Sequence, residues 1–111
     1  MENRRKNKRE AISPHLKVVI PESERSFGAF ITNISNGGVE VYADHRIEPG
    51  QEVQLYISFE SDPKTGKDEI VAGNVRWVKL FGPRFLLGIA FKDINPVDHP
   101  VLTGFLDFVG T

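Results

Sequence analysis

From His15 almost to the C-terminus, apolar side chains return mainly at every second position, the period that sets alternate residues on one face of a pleated strand. Val53, Leu55, Ile57 and Phe59 alternate with Glu52, Gln54, Tyr56 and Ser58, and Phe85, Leu87, Ile89 and Phe91 repeat the pattern. Shorter candidates run over Leu16 to Ile20, Phe27 to Thr32 and Val39 to Tyr42, and a long one from Ile70 to Leu80 carries Val71, Val75 and Trp77. Turn chemistry separates them: Pro21 to Ser26, Asn36-Gly37-Gly38, Glu48-Pro49-Gly50, Ser61 to Lys67 with Asp62-Pro63 and Gly66, and Gly82-Pro83. Short connections without intervening helices predict antiparallel neighbours and a mainly β fold of about six strands. A closed barrel is favoured over a sandwich, because closure removes the edges along which another chain could pair.

The period changes near the end. Val101, Leu102, Phe105, Leu106 and Val109 follow the i, i+3, i+4 spacing of a helix face, with Asp98 as the expected cap and Pro100 in the first turn, where its missing N–H costs nothing. The first dozen residues are polar and aperiodic. Residues 1–12 are therefore read as a flexible arm, and 13–111 as a barrel with a C-terminal α-helix packed on it.

With 111 residues, 40% of them hydrophobic, the chain suits one small domain with a modest core. The absence of cysteine excludes a disulfide framework and thiolate metal or redox chemistry. No run approaches the ~20 apolar residues of a membrane span, and the N-terminus is charged where a signal peptide needs an apolar core, so a cytoplasmic protein without membrane insertion is expected. The net charge of -1 hides an asymmetry: Arg4, Arg5, Lys6, Lys8 and Arg9 crowd the start, opposed there by Glu2 and Glu10, and the remainder is mildly acidic.

Catalysis requires convergent acid, base or nucleophilic groups, and none is visible. His15, His45 and His99 lie far apart without a ligand-spaced partner and read as lone surface histidines. Asp62, Asp68 and Glu69 beside Lys64 and Lys67 read as a solvated turn. Walker and dinucleotide glycine signatures are missing, so no enzyme activity, metal or cofactor is assigned.

Two short motifs stand above this background. Arg5-Lys6-Asn7-Lys8-Arg9 has R-x-x-x-R spacing with Arg4 directly before it; alone it reads as a solvated basic tail. Asn33-Ile34-Ser35-Asn36-Gly37-Gly38 fits [D/N]-x-S-x-x-G at a strand junction; alone it reads as a hairpin turn whose Asn36, Gly37 and Gly38 tolerate positive φ. In this order, ahead of six strands and a helix, the motifs resemble the PilZ domain family of bacterial cyclic di-GMP receptors. Ala72-Gly73-Asn74-Val75-Arg76-Trp77 is similar to that family's G-x-V-x-W strand, and Leu87-Gly88-Ile89-Ala90-Phe91 to its G-I-x-F strand. The resemblance covers nearly the whole chain.

It implies a receptor or adaptor for cyclic di-GMP in second-messenger signalling, which changes conformation on binding and acts through an unknown downstream protein. Arg5 and Arg9 would be the paired arginines that grip guanine edges and phosphates, and arginine suits both tasks: its planar fork donates two bonds to guanine O6 and N7 or to phosphate oxygens. Arg4 extends the motif to R-R-x-x-x-R, a form that the family associates with two stacked, intercalated ligand molecules. Asn33, Ser35 and Gly38 would take the positions of the second motif, with asparagine in place of the commoner aspartate. Trp77 is open: a lone tryptophan on a strand is more often core, whereas the resemblance sets it on the surface beside the ligand. Two rivals remain. A small barrel could bind single-stranded nucleic acid, although such grooves spread their basic residues along a track and here the charge sits at one end. A PilZ-like module could also work purely through protein contacts, without nucleotide.

Overall fold

The computed structural model describes residues 15–58 and 68–110. The arm with Arg4, Arg5 and Arg9 and the turn from Ser61 to Lys67 lie outside the described residues. Among the described residues six strands, β1 (His15–Ile20), β2 (Arg25–Ile34), β3 (Gly38–Ala43), β4 (Glu52–Ser58), β5 (Glu69–Phe81) and β6 (Arg84–Lys92), are followed by one helix, α1 (Pro100–Gly110). They form a closed barrel in the order β1-β2-β3-β6-β5-β4, with every pair antiparallel. Mainly β, six-stranded and closed, this is the architecture that the alternation predicts.

Sequence neighbours pair except β3 and β4. β4 instead joins the free edge of β1, with Leu16 opposite Ile57 and Val18 opposite Leu55, and so closes the barrel. The connection over residues 44–51 spans one end of the barrel and buries Ile47 there. Gly82 takes φ +60° in the two-residue connection between β5 and β6, the left-handed conformation that a type II′ hairpin requires at its first central residue.

The inward rows follow the alternation: Val53, Leu55 and Ile57 on β4, Val39, Val41 and Ala43 on β3, Leu87 and Ile89 on β6. Each valine, leucine or isoleucine among them contributes roughly 1.5–3 kcal/mol by leaving water. Leu102 and Leu106 of α1 join this core, whereas Val101 turns to solvent.

The docking of α1 corrects three readings of the sequence. Pro100 does open the first turn, but the residue before the helix is His99, whose carbonyl accepts the first helical bond from Thr103 N at 2.9 Å. Asp98 is not the cap, because its carboxylate accepts from Asn95 Nδ2 at 3.1 Å. Glu69 is not in a solvated turn; it is buried at the start of β5 and accepts from Val101 N at 2.7 Å and Leu102 N at 2.8 Å. The first N–H groups of a helix have no partner within it, and here they are buried against the barrel, so a barrel carboxylate must supply the acceptor. Nor is His99 a surface residue. Its Nδ1 accepts from Asn95 N at 3.3 Å, which leaves Nε2 carrying the hydrogen that it donates to the Ile70 carbonyl at 2.9 Å. Among the described residues no helix is long and apolar enough to cross a membrane.

Candidate functional site

Two β-bulges decide what the barrel shows on its outer face. On β2 the inward residues are Phe27, Ala29 and Ile31, and strict alternation would send Asn33 inward as well. The register with β3 shifts between Ile31 and Asn33, so Thr32 and Asn33 both face out and the inward row resumes at Ile34. On β5 the same thing happens between Val75 and Trp77: Arg76 and Trp77 both face out, and the inward row resumes at Val78. A bulge puts two residues opposite one and re-aims the side chains beyond it. Trp77, which alternation from Val71 and Val75 would bury, is 41% exposed.

Both bulges open on one cleft. Asn33, Glu40, Gly88 and Trp77 are successive partners across β2, β3, β6 and β5, forming a single transverse row on the outside of the barrel. Gly88 gives the row its depth. A Cβ there would collide with the indole of Trp77, so the ring lies over this glycine and leans toward β3. Asn33, Ser35, Gly38, Glu40, Arg76 and Trp77 line a shallow cleft of about 230 Å³. Pockets that enclose a drug-sized ligand hold ~300–1,000 Å³, so this cleft is too small to enclose a whole molecule of that size.

Ser35 leads the turn between β2 and β3, its N–H donating to the Gly38 carbonyl at 2.9 Å, and its exposed hydroxyl can both donate and accept. None of Asn36, Gly37 and Gly38 has positive φ, so turn geometry is not what calls for glycine here. At Gly38 the reason is close approach: a Cβ would strike the Ile89 carbonyl oxygen on β6. Thus Asn33, Ser35, Gly38 and Trp77, separated by up to 44 positions in the chain, meet at one place. Arg4, Arg5 and Arg9 lie outside the described residues.

Arg76 and Glu40 belong to the cleft and were not singled out from the sequence. Among the described residues neither has an ion-pair partner. Lys79 Nζ stands 5.9 Å from the centroid of the Trp77 ring, a cation–π distance. The signal for Arg76 was present: the apolar spacing along β5 slips from two to three between Val75 and Val78, as it does between Ile31 and Ile34 on β2. Such a slip marks a bulge. Glu40 left no comparable trace, since a charged residue on the outside of a strand is ordinary.

The closed six-stranded barrel thus carries an outward cleft that joins an aromatic face, an amide, a hydroxyl and an arginine. The family profile described as PilZ domain matches residues 3–108, and the chain belongs to that family. PilZ domains are receptor modules. No individual curated protein matches the chain.

Proposed function

We propose that this protein is a cyclic di-GMP receptor of the bacterial cytoplasm, in which the arginines of residues 4–9 close over the cleft and change the surface offered to a protein partner. The observation that carries this reading is the convergence of Asn33, Ser35 and Gly38 with Trp77 and Arg76 in one outward cleft. The ligand carries two guanines and two phosphodiester groups in a compact ring. A guanine stacked on the indole would turn its polar edge toward Asn33 and Ser35, with Arg76 beside the phosphates.

The tether is long enough. β1 pairs Leu16 with Ala29, so His15 stands level with Phe30, three residues short of Asn33 on the neighbouring strand. At ~4.8 Å between strands and ~3.3 Å per residue, the start of β1 is about 11 Å from Asn33. Arg9 precedes His15 by six residues and Arg5 by ten, and at ~3.3–3.6 Å per residue their reach extends to about 20 Å and about 33 Å. Fixing the arm costs roughly 1–2 kcal/mol per residue in backbone entropy. Charge-assisted bonds contribute about 1.5–3 kcal/mol each, so closure requires several arginine contacts together with stacking.

Isothermal titration with cyclic di-GMP, beside GTP and a short single-stranded oligonucleotide, tests the reading. Micromolar or tighter binding of cyclic di-GMP alone is expected, with Arg5→Ala or Arg9→Ala abolishing most of the affinity. Arg5→Lys should weaken it as well, because the charge stays but the fork is lost. Binding of the oligonucleotide instead would favour a nucleic-acid barrel, and no nucleotide binding would favour a module that works through protein contacts. Two nucleotides per protein, rather than one, is the stoichiometry expected of the motif that Arg4 extends.

A further inference from the structure

Within the cleft, Asn33 has on its neighbouring strand a carboxylate that its own side chain lacks. Asn33 and Glu40 are direct partners across β2 and β3, so their Cβ atoms share the outer face at ~5 Å separation. Glu40 points outward because Val39 and Val41 on either side of it are buried. Its backbone carbonyl accepts from Thr32 Oγ1 at 3.1 Å, while among the described residues its carboxylate has no cation beside it. On its other flank stands Gly88, the residue over which the Trp77 ring lies. A planar base stacked on that ring would therefore bring one edge to Glu40.

The chemistry of that edge separates the purines. Guanine offers two adjacent donors, N1–H and the exocyclic amine, which a carboxylate can accept together. Adenine offers an acceptor at N1 and a donor at its amine, so a carboxylate meets one favourable and one repulsive group. An amide such as Asn33 presents one acceptor and one donor head and does not discriminate in this way. We propose that Glu40 reads the Watson–Crick edge of a guanine in this cleft, and so sets its selectivity for guanine over adenine. The inference rests on the cyclic dinucleotide reading above and goes beyond it in assigning base selectivity to a strand residue outside both sequence motifs.

The rival role for an acidic residue near phosphates is repulsion, and the two roles differ in sign. Titrations of the wild-type protein, Glu40→Gln and Asn33→Asp/Glu40→Gln with cyclic di-GMP and cyclic di-AMP separate them, with unchanged thermal midpoints as the check on folding. Glu40→Gln should bind cyclic di-GMP about tenfold or more weakly, the factor that one charge-assisted bond carries, and should narrow the preference over cyclic di-AMP. The double variant returns a carboxylate to the cleft from β2 and should regain part of that loss. Equal or tighter binding of cyclic di-GMP by Glu40→Gln would overturn the proposal while leaving the receptor reading intact. Absence of cyclic di-GMP binding by the wild-type protein would overturn both.

Discussion

Gly88 governs how the indole of Trp77 can lie, because the ring occupies the space that a side chain there would need. Gly88→Ala must push the ring off the sheet, since an indole is rigid and cannot give way at one atom. Trp77 is the sole tryptophan, so its fluorescence reports the event directly. The variant is expected to show a shifted emission maximum and weaker cyclic di-GMP binding; unchanged emission would mean that the ring does not rest on this glycine. Arg76 invites a second test at the same scale. Its guanidinium is carried by a strand of the barrel and lines the cleft. Arg76→Ala should lower affinity by about tenfold, the worth of one charge-assisted bond, and reduce its dependence on salt.

At the scale of elements, the helix depends on a residue 31 positions before its first. Glu69 accepts two N–H bonds from the opening turn of α1, and Leu102 beside it is fully buried. Glu69→Ala leaves those N–H groups buried and unpartnered, so a loss of about 2–5 kcal/mol is expected in denaturant titration, with α1 detaching before the barrel unfolds. Leu102→Ala should cost a similar ~2–5 kcal/mol through the cavity it leaves. If both variants matched the wild type in stability, the docking of α1 described above would be wrong. Strand positions were legible in the sequence because alternation is local: Val53, Leu55 and Ile57 face inward as the period says. What local reading missed was long-range. Glu69 looked like part of a charged loop, since nothing near it in sequence tells that a helix end will arrive there. Asp98 looked like the cap, since nothing foretold that Asn95 would hold it.

For the whole molecule, the pairing of β3 with β6 is what brings the turn between β2 and β3 and the Trp77 segment of β5 to one cleft. Half of that site was legible: Asn33, Ser35 and Gly38 came from their spacing, and Trp77 was left between core and surface because a strand read without its bulge faces either way. Arg76 left its trace in the slipped spacing of β5, whereas Glu40 joins the site only because β5 and β3 are separated by β6 alone. The stability of the whole also carries a mild pH dependence. Lys92 Nζ donates to Glu52 Oε2 at 2.8 Å, joining β6 to β4, and this bond with its charge lowers the carboxyl pKa of Glu52 and raises that of Lys92. The stabilisation is thus present above the ordinary carboxylate value and lost as pH falls through the lowered one; it is likewise present below the ordinary lysine value and lost as pH rises through the raised one. Being exposed, the pair contributes little, and the gap in thermal midpoint between wild type and Lys92→Met should be small near neutrality and close in acid.

The central claim is that cyclic di-GMP joins the N-terminal arginines to the cleft beside Trp77. Backbone amide NMR with and without cyclic di-GMP tests it most directly. Resonances of residues 4–9 and 33–38 should move together and saturate at one common ligand concentration. Spectra that superimpose in both stretches, or shifts confined to one of them, would contradict the account.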